Sequence, residues 1–290
     1  MNNYRIITDS CCDLPQEMAD ELELLIAPLS VNYKGKDVKN YLDGRELDPK
    51  EFYQGLRDGE MTSTSAANPT LWQSIMEPVL KEGQDILVLA FSSGLSTTYN
   101  AACIAAEELK ETYPDRKIYV VDTLCAALGQ GLFCKYVADL KKNGASMEEA
   151  RDWAESNKLK LVHWFTVEDL HFLKRGGRVS ATTAVVGSLL QIKPVLHVDN
   201  DGHLIAKAKV RGRKASIHAL ADKVAELCEN PAEQTMAICH GDCIEDAKYL
   251  ESLLKERYNV PEVIIHVIGP VIASHSGPGT LAVFFIGKER

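Results

Sequence analysis

Three segments set small hydroxyl and acidic side chains where an apolar strand gives way to a polar loop: Thr8-Asp9-Ser10, Ser92-Ser93-Gly94-Leu95-Ser96 and Asp122-Thr123. In open parallel α/β sheets, ligands collect beyond the carboxyl ends of the strands. The second segment also opens a helix, whose free N–H groups and partial positive charge suit a carboxylate or phosphate. Ser96 reads equally well as an ordinary N-cap, and the two roles are compatible. A run of four hydroxyls, Thr62-Ser63-Thr64-Ser65, precedes Asn68-Pro69, and turn chemistry leading into a helix is its plainer explanation. Farther along the chain come Arg175, Arg178 and the glycine-dense stretch 269–280, which contains His275. Glycines at that density mark a loop whose backbone approaches something closely. His275 is then either a hydrogen-bond donor to an anion or an ordinary surface histidine.

Other chemistries find less support. A serine-hydrolase nucleophile elbow needs G-x-S-x-G, whereas Ser93 sits in Phe91-Ser92-Ser93-Gly94-Leu95. Neither G-x-x-x-x-G-K-[ST] nor G-x-G-x-x-G occurs in a strand-to-helix turn, which leaves a nucleotide site unsupported. Eight cysteines in 290 residues do not make a disulfide scaffold, and no pair of C-x-x-C motifs suggests zinc. They read as reduced packing residues, with Cys11-Cys12 and the Cys239-His240 and Cys243 group closest to chemistry. No metal and no cofactor are expected. His266, in an apolar strand, reads as a satisfied core residue.

Charge and hydropathy narrow the partners. With 41 acidic against 32 basic residues, a net charge of −9, there is no electrostatic case for nucleic acid. The longest apolar runs, 86–91 and 281–286, are far too short to span a membrane, so no integral membrane segment is expected. No basic stretch followed by a long apolar one opens the chain, which argues against a signal peptide and for the cytoplasm.

The elements that must position these loops alternate regularly from residue 4 to about 157. A strand over 5–8 is followed by a helix from near Pro15 and a strand-like run over 24–33. Asp48-Pro49 and Asn68-Pro69 each pair an N-cap residue with proline at the first helical position. Strands over 85–91 and 117–121 alternate with a helix over 97–113 and a long helix after Asp122-Thr123. The pattern predicts a parallel sheet with helices on both faces. Ser146-Met147-Glu148-Glu149 is a capping box. After Lys158 the texture changes, with a strand over 159–166 and a hairpin folded about Asp201-Gly202. Helices over 214–228 and 245–258 and strands over 235–240, 262–268 and 280–286 follow. The prediction is an α/β chain of two domains divided near Asn157. Residues 1–157 would carry the parallel sheet, and residues 158–290 a mixed sheet with helices.

Taken together, five segments resemble the DegV family of bacterial fatty-acid-binding proteins. They are Thr8-Asp9-Ser10, Thr64-Ser65-Ala66-Ala67-Asn68-Pro69, Ser92-Ser93-Gly94-Leu95-Ser96-Thr97-Thr98-Tyr99, Leu173-Lys174-Arg175-Gly176-Gly177-Arg178-Val179-Ser180, and Gly269-Pro270-Val271 through His275 to Gly279. They occur in the family's order and span nearly the whole chain.

The resemblance implies a non-catalytic protein that holds one long-chain fatty acid in a tunnel at the domain junction. It also implies that the carboxylate is presented to a separate ATP-dependent fatty acid kinase, which makes acyl phosphate for phospholipid synthesis. Carried over by motif, Thr64, with Ser65 beside it, would meet the carboxylate. Ser92, Ser93 and Ser96 would supply the hydroxyl and helix-start contacts, with Ser93 and Ser96 favoured. His275 would complete the polar end, with Arg178 close to it or to the docked kinase. The chain departs from the family pattern at Ala66, where many relatives have glutamine, at Thr97, where they have glycine, and at Cys11-Cys12, in place of small polar residues. The competing expectation, from a different class, is a stand-alone enzyme: an acyl hydrolase using Ser93 or a carbonyl-binding transferase using His275.

Overall fold

A computed structural model describes residues 3–180 and 191–290. Met1 and Asn2, at the head of the segment read for a leader, lie outside the described residues. Along the chain come β1 (Tyr4–Asp9), α1 (Gln16–Glu21), β2 (Leu25–Ala27), β3 (Ser30–Tyr33), β4 (Lys36–Lys39), α2 (Pro49–Arg57), β5 (Ser63–Ser65), α3 (Pro69–Lys81) and β6 (Asp85–Ala90). Next are α4 (Thr98–Thr112), β7 (Ile118–Asp122), α5 (Ala127–Lys142), α6 (Met147–Asn157), β8 (Leu161–Thr166) and α7 (Leu170–Arg175). Last are β9 (Ile192–Val198), β10 (Leu204–Arg211), α8 (Arg213–Leu227), β11 (Thr235–His240), α9 (Ile244–Tyr258), β12 (Glu262–Val267), α10 (Pro270–Ser276) and β13 (Leu281–Ile286).

The first sheet, ordered β2-β1-β6-β7, is wholly parallel. Strand β6 is buried from Ile86 to Ala90, as a strand covered on both faces must be. One face packs on α3 and α4 through Trp72, Met76, Ala102 and Ala105 against Ile7, Ile86 and Val88. The other, through Ile6, Leu87 and Leu89, packs on Leu128, Leu132 and Phe133 of α5. The second sheet, ordered β10-β9-β8-β13-β11-β12, is mixed, with only β11 and β12 parallel. Its inner face, including Phe165, Ala282 and Phe284, shares the core that holds α5, while Val162, Val283 and Phe285 face α8 and α9. The layers therefore run helices, parallel sheet, α5, mixed sheet, helices.

The start signals behave as their chemistry requires. Asn68 accepts a hydrogen bond from Leu71 N at 2.8 Å and Asp48 one from Glu51 N at 3.0 Å, and Ser146 and Glu149 form the reciprocal capping box. Three expectations are corrected. The run over 24–33 is two strands broken at Pro28: β2 joins the parallel sheet, while β3 forms a small antiparallel sheet ordered β4-β3-β5. The hydroxyl run 62–65 supplies a strand, β5, because its backbone pairs with β3. The stretch 269–280 is not all loop: Gly269 is the N-cap and Pro270 the first residue of helix α10.

Candidate functional site

Residues from both halves of the chain enclose a cavity of about 470 Å³. Loops beyond the carboxyl ends of β1, β6 and β7 contribute Cys11, Leu95, Ser96 and Ala126. The inner face of the mixed sheet forms an apolar wall. Phe165 pairs across the strands with Ala282, which in turn pairs with Cys239, and Phe284 lies two residues farther along β13 on the same face. Val198 and Leu204, directly paired across the β9–β10 hairpin, add to it. Helix α10 contributes Val271, Ile272 and His275. The side chain of Arg290 fixes the loop ahead of α5, donating to the carbonyls of Leu124 (2.7 Å), Asp199 (3.0 Å) and Lys158 (2.8 Å), and so ties the two halves together beside the cavity.

Of the seven residues singled out from sequence, six line this cavity: Thr64, Ser65, Ser93, Ser96, Arg178 and His275. Thr64 Oγ1 and His275 Nε2 share a hydrogen bond of 2.7 Å between residues 211 apart in the chain. The side chain of Arg178 donates to the carbonyl of Leu95 at 3.0 Å and to that of Gly176, which pins the 92–97 loop to the turn after α7. Ser96 is not the N-cap of α4, which is Thr97; one residue earlier, its Oγ accepts from Thr98 N at 3.2 Å and bonds Thr98 Oγ1 at 2.9 Å. Ser65 and Ser93 are exposed.

Ser92 is the exception. It is fully buried, donates to the carbonyl of Gly202 at 2.9 Å and accepts from Gly94 N at 3.2 Å. Its hydroxyl fastens the β9–β10 turn to the loop and does not line the cavity. The approach is so close that a β-carbon on Gly202, already at φ +78°, would stand 2.1 Å from Ser92 Oγ.

Burial governs the electrostatics. His275 is pushed down to about 4, first by loss of water and then by the charges of Arg178 and Arg175, and is neutral near pH 7. His163, on β8, also lines the cavity. It donates from Nδ1 to the Leu161 carbonyl at 3.0 Å and accepts from Ala126 N at 3.2 Å, and burial holds it well below the usual imidazole range. Arg178 therefore brings permanent positive charge to the cavity wall.

Thr8, Asp9 and Ser10 are completely buried and hold the fold together. The Asp9 carboxylate accepts from Phe91 N at 2.8 Å, Cys11 N at 3.0 Å and Gln130 Nε2 at 3.1 Å. All eight cysteines are free thiols. Cys243 bonds the Thr280 carbonyl and Arg213, and His240 Nδ1 accepts from Cys243 N, so that group is turn and packing chemistry. His266 is satisfied, donating to the Asp13 carbonyl at 2.9 Å. Asp199, Asp201 and His203 cluster at the β9–β10 turn, where Asp199 Oδ1 already accepts from the backbone N–H groups of Asp201 and His203. Sequence reasoning passed over His163, Ser276 and Thr280 as wall residues. The alternation of β8 could have revealed His163, and the helical character of 270–276 could have revealed Ser276; neither signal reaches Thr280. Three of the departures from the family pattern, Cys11, Ala66 and Thr97, all line the cavity.

Fold and site thus define a mixed α/β protein with an interior cavity, apolar over most of its wall and polar around the Thr64–His275 pair. A family model described as "Uncharacterised protein, DegV family" matches residues 3–288, and the chain belongs to the DegV family. It is 48% identical to a DegV domain-containing protein of Clostridium perfringens over 100% of this chain and 99% of that one. It is 34% identical to one from Streptococcus pyogenes over 99% of each chain. Among solved structures it resembles a DegV family protein from Thermus thermophilus described by its fatty acid binding (TM-score 0.87, 30% identity, 98% of this chain and 99% of that one). It also resembles DegV of Bacillus subtilis, described as a fatty acid binding protein (TM-score 0.84, 30% identity, 99% of each). A third, from Ruminococcus gnavus, is described with vaccenic acid (TM-score 0.87, 26% identity, 98% of this chain and 100% of that one).

Proposed function

We propose that this chain binds one long-chain fatty acid in the cavity and presents its carboxylate to a separate ATP-dependent kinase that forms the acyl phosphate. The two units would be 1–157 and 158–290, with the ligand at their junction. The observation that carries the reading is the convergence of Thr64, Ser96, Arg178 and His275 on one cavity whose wall is mostly apolar, in a chain whose structural relatives are described as fatty acid binders. Burying about sixteen carbons at ~0.8 kcal/mol each is worth roughly 12 kcal/mol gross. Association costs ~4–15 kcal/mol of lost freedom, so tight binding requires a nearly enclosed tail. Affinity then resides in the apolar wall.

The head group is held by hydrogen bonds. A neutral His275 donating from Nε2 to Thr64 Oγ1 leaves the threonine hydroxyl free to donate to the carboxylate, and Arg178 supplies the counter-charge. The exposed Ser93 and Ser65 leave that end open to a partner, which would bring the ATP. A hydrolase built on Ser93 fits less well, because the His275 imidazole is committed to Thr64 and its other nitrogen has no orienting partner among the described residues.

Mass spectrometry of lipid extracted from the purified protein tests the binding. Stoichiometric long-chain fatty acid, and a melting temperature raised by added acid, are expected. Lipid-free protein indifferent to added acids would overturn it. The kinase step is tested by combining the lipid-loaded chain with a fatty acid kinase and ATP. Acyl phosphate should form only when both proteins are present.

A further inference from the structure

The two serines of α10 satisfy their hydroxyls differently. Ser274 Oγ bonds back to the Pro270 carbonyl at 2.8 Å, the usual recourse of a helical serine. Ser276, four residues after Ile272, does not turn back in this way. Its residue is 5% exposed, its Oγ is buried with no hydrogen-bond partner among the described residues, and it lines the cavity one position beyond His275. The nearby hydroxyl does not serve it: Thr280 Oγ1 donates to the carbonyls of Ser276 and Gly277, each at 2.9 Å, and makes no hydrogen bond with Ser276 Oγ. A buried hydroxyl left unpaired is costly, and Ser276 stands on the face of α10 that, with Ile272 and His275, borders the cavity.

We infer that Ser276 is a selectivity residue of this cavity, its hydroxyl donating a hydrogen bond to an oxygen atom of the bound ligand. The inference rests on the fatty-acid reading above and deepens it. Its place beside His275 puts that oxygen near the head: either the carboxylate oxygen that Thr64 does not hold, or a hydroxyl on the first carbons of the chain. The two sources share one chemistry, an oxygen acceptor. A ligand that is pure hydrocarbon at that point leaves Ser276 unpaired and is selected against.

Ser276→Ala and Ser276→Cys are compared with the parent chain, stripped of lipid, using hexadecanoic acid and 3-hydroxyhexadecanoic acid as probes. The cysteine fills at least the serine's volume but is a weak donor, and so separates packing from hydrogen bonding. Without ligand, Ser276→Ala should melt at or above the parent temperature, because an unpaired hydroxyl has been removed. With ligand, both variants should bind about tenfold or more weakly to whichever probe Ser276 contacts. Loss with both acids identifies the carboxylate as partner, and loss with the hydroxy acid alone identifies the chain hydroxyl. Unchanged affinity for both probes overturns the inference, as does a lower melting temperature without ligand, which would mean that the hydroxyl has a partner within the protein. If the parent chain binds neither probe, the fatty-acid reading itself fails. That outcome is distinct from a parent that binds and variants that match it.

Discussion

Gly176 lies directly against the imidazole of His275: a β-carbon on the glycine would stand 2.2 Å from Nδ1. The same imidazole is held at its other nitrogen by Thr64, 2.7 Å away, so it is fixed from both sides by residues on separate elements. The backbone of Gly176, at φ −72° and ψ −8°, is one that any residue adopts. The glycine is needed for space and not for conformation. Gly176→Ala should therefore fold but displace the ring and break its bond to Thr64. Overpacking of this kind costs about 1–3 kcal/mol. Expected are a modestly lower melting temperature, retained lipid and at least a tenfold loss of acyl-phosphate formation with a kinase, since small misplacements are expensive in rate. Parent-level turnover would show that the His275 position does not matter.

Head and tail should separate cleanly. Thr64→Ala and His275→Ala each remove a polar partner while leaving Phe165, Ala282 and Phe284 in the wall. Losing a hydrogen bond to a charged group costs roughly 1.5–3 kcal/mol against a tail contribution several times larger. Both variants should still carry fatty acid by mass spectrometry and lose most of their turnover. Variants that lose the lipid outright would place the affinity in the head group and contradict the division of labour. Because His275 is held down to about 4, the parent chain's affinity should not change between pH 6 and 8.

Much of this was legible from local rules, and the parts that were not depended on partners far away in sequence. Strand–helix alternation, two proline-marked helix starts and a capping box are short-range signals, and the elements around α2, α3 and α6 follow them. The loops beyond β1, β6 and β7 could be located because parallel topology dictates where such loops collect. Ser92 and Ser93 are chemically alike in sequence. Only the β9–β10 turn, 110 residues away, makes one a buried fastener and leaves the other exposed. Gly269-Pro270 carries the same proline-at-first-position signal as Asn68-Pro69, but the density of glycine beyond it masked the short helix α10. With the helix went Ser276, whose approach to the cavity depends on helical geometry.

A buried acid predicts a pH signature. Burial pushes Asp9 up to about 6 from 3.8, despite hydrogen bonds from Phe91, Gln130 and Cys11 that favour its ionised form. A carboxyl whose folded value is raised contributes stability that is fully present below about pH 4 and lost as pH rises toward 6. At about 1.4 kcal/mol per pKa unit, that loss is on the order of 3 kcal/mol. His275 runs the other way, since its depressed value contributes stability above about pH 6.5 that is lost as pH falls toward 4. The difference in stability between the parent chain and Asp9→Asn, measured by denaturant unfolding at several pH values, isolates the acid. It should change steeply between pH 4 and 6 and be flat from pH 7 to 8. A difference independent of pH throughout would show that Asp9 titrates normally.

Asp13 offers the most specific test of how the site is held, because it acts on His275 from outside the cavity. It adopts a left-handed backbone at φ +48° and is 2% exposed. Its Oδ1 accepts from Gly269 N at 3.0 Å, and its carbonyl accepts from His266 Nδ1 at 2.9 Å. Gly269 is the N-cap of α10, and Tyr53 holds the preceding residue by donating to the Ile268 carbonyl at 2.9 Å. The start of the helix that bears His275 and Ser276 is therefore anchored to the first loop of the chain. Burial raises Asp13 well above the usual carboxylate range, so its service is as an acceptor more than as a charge. Asp13→Asn, which keeps an oxygen at that place, should retain both stability and turnover. Asp13→Ala leaves the part-buried Gly269 N–H unpaired at a cost of up to about 1–3 kcal/mol and frees the helix start to shift. It should melt lower, still bind fatty acid through the intact apolar wall, and lose turnover by more than its stability alone accounts for at a temperature where it is fully folded. The imidazole resonances of His275 should move in Asp13→Ala and stay in place in Asp13→Asn. If Asp13→Ala lowers the melting temperature while turnover and the His275 resonances match the parent, the anchor is merely structural and the polar end is positioned by Thr64 and Gly176 alone.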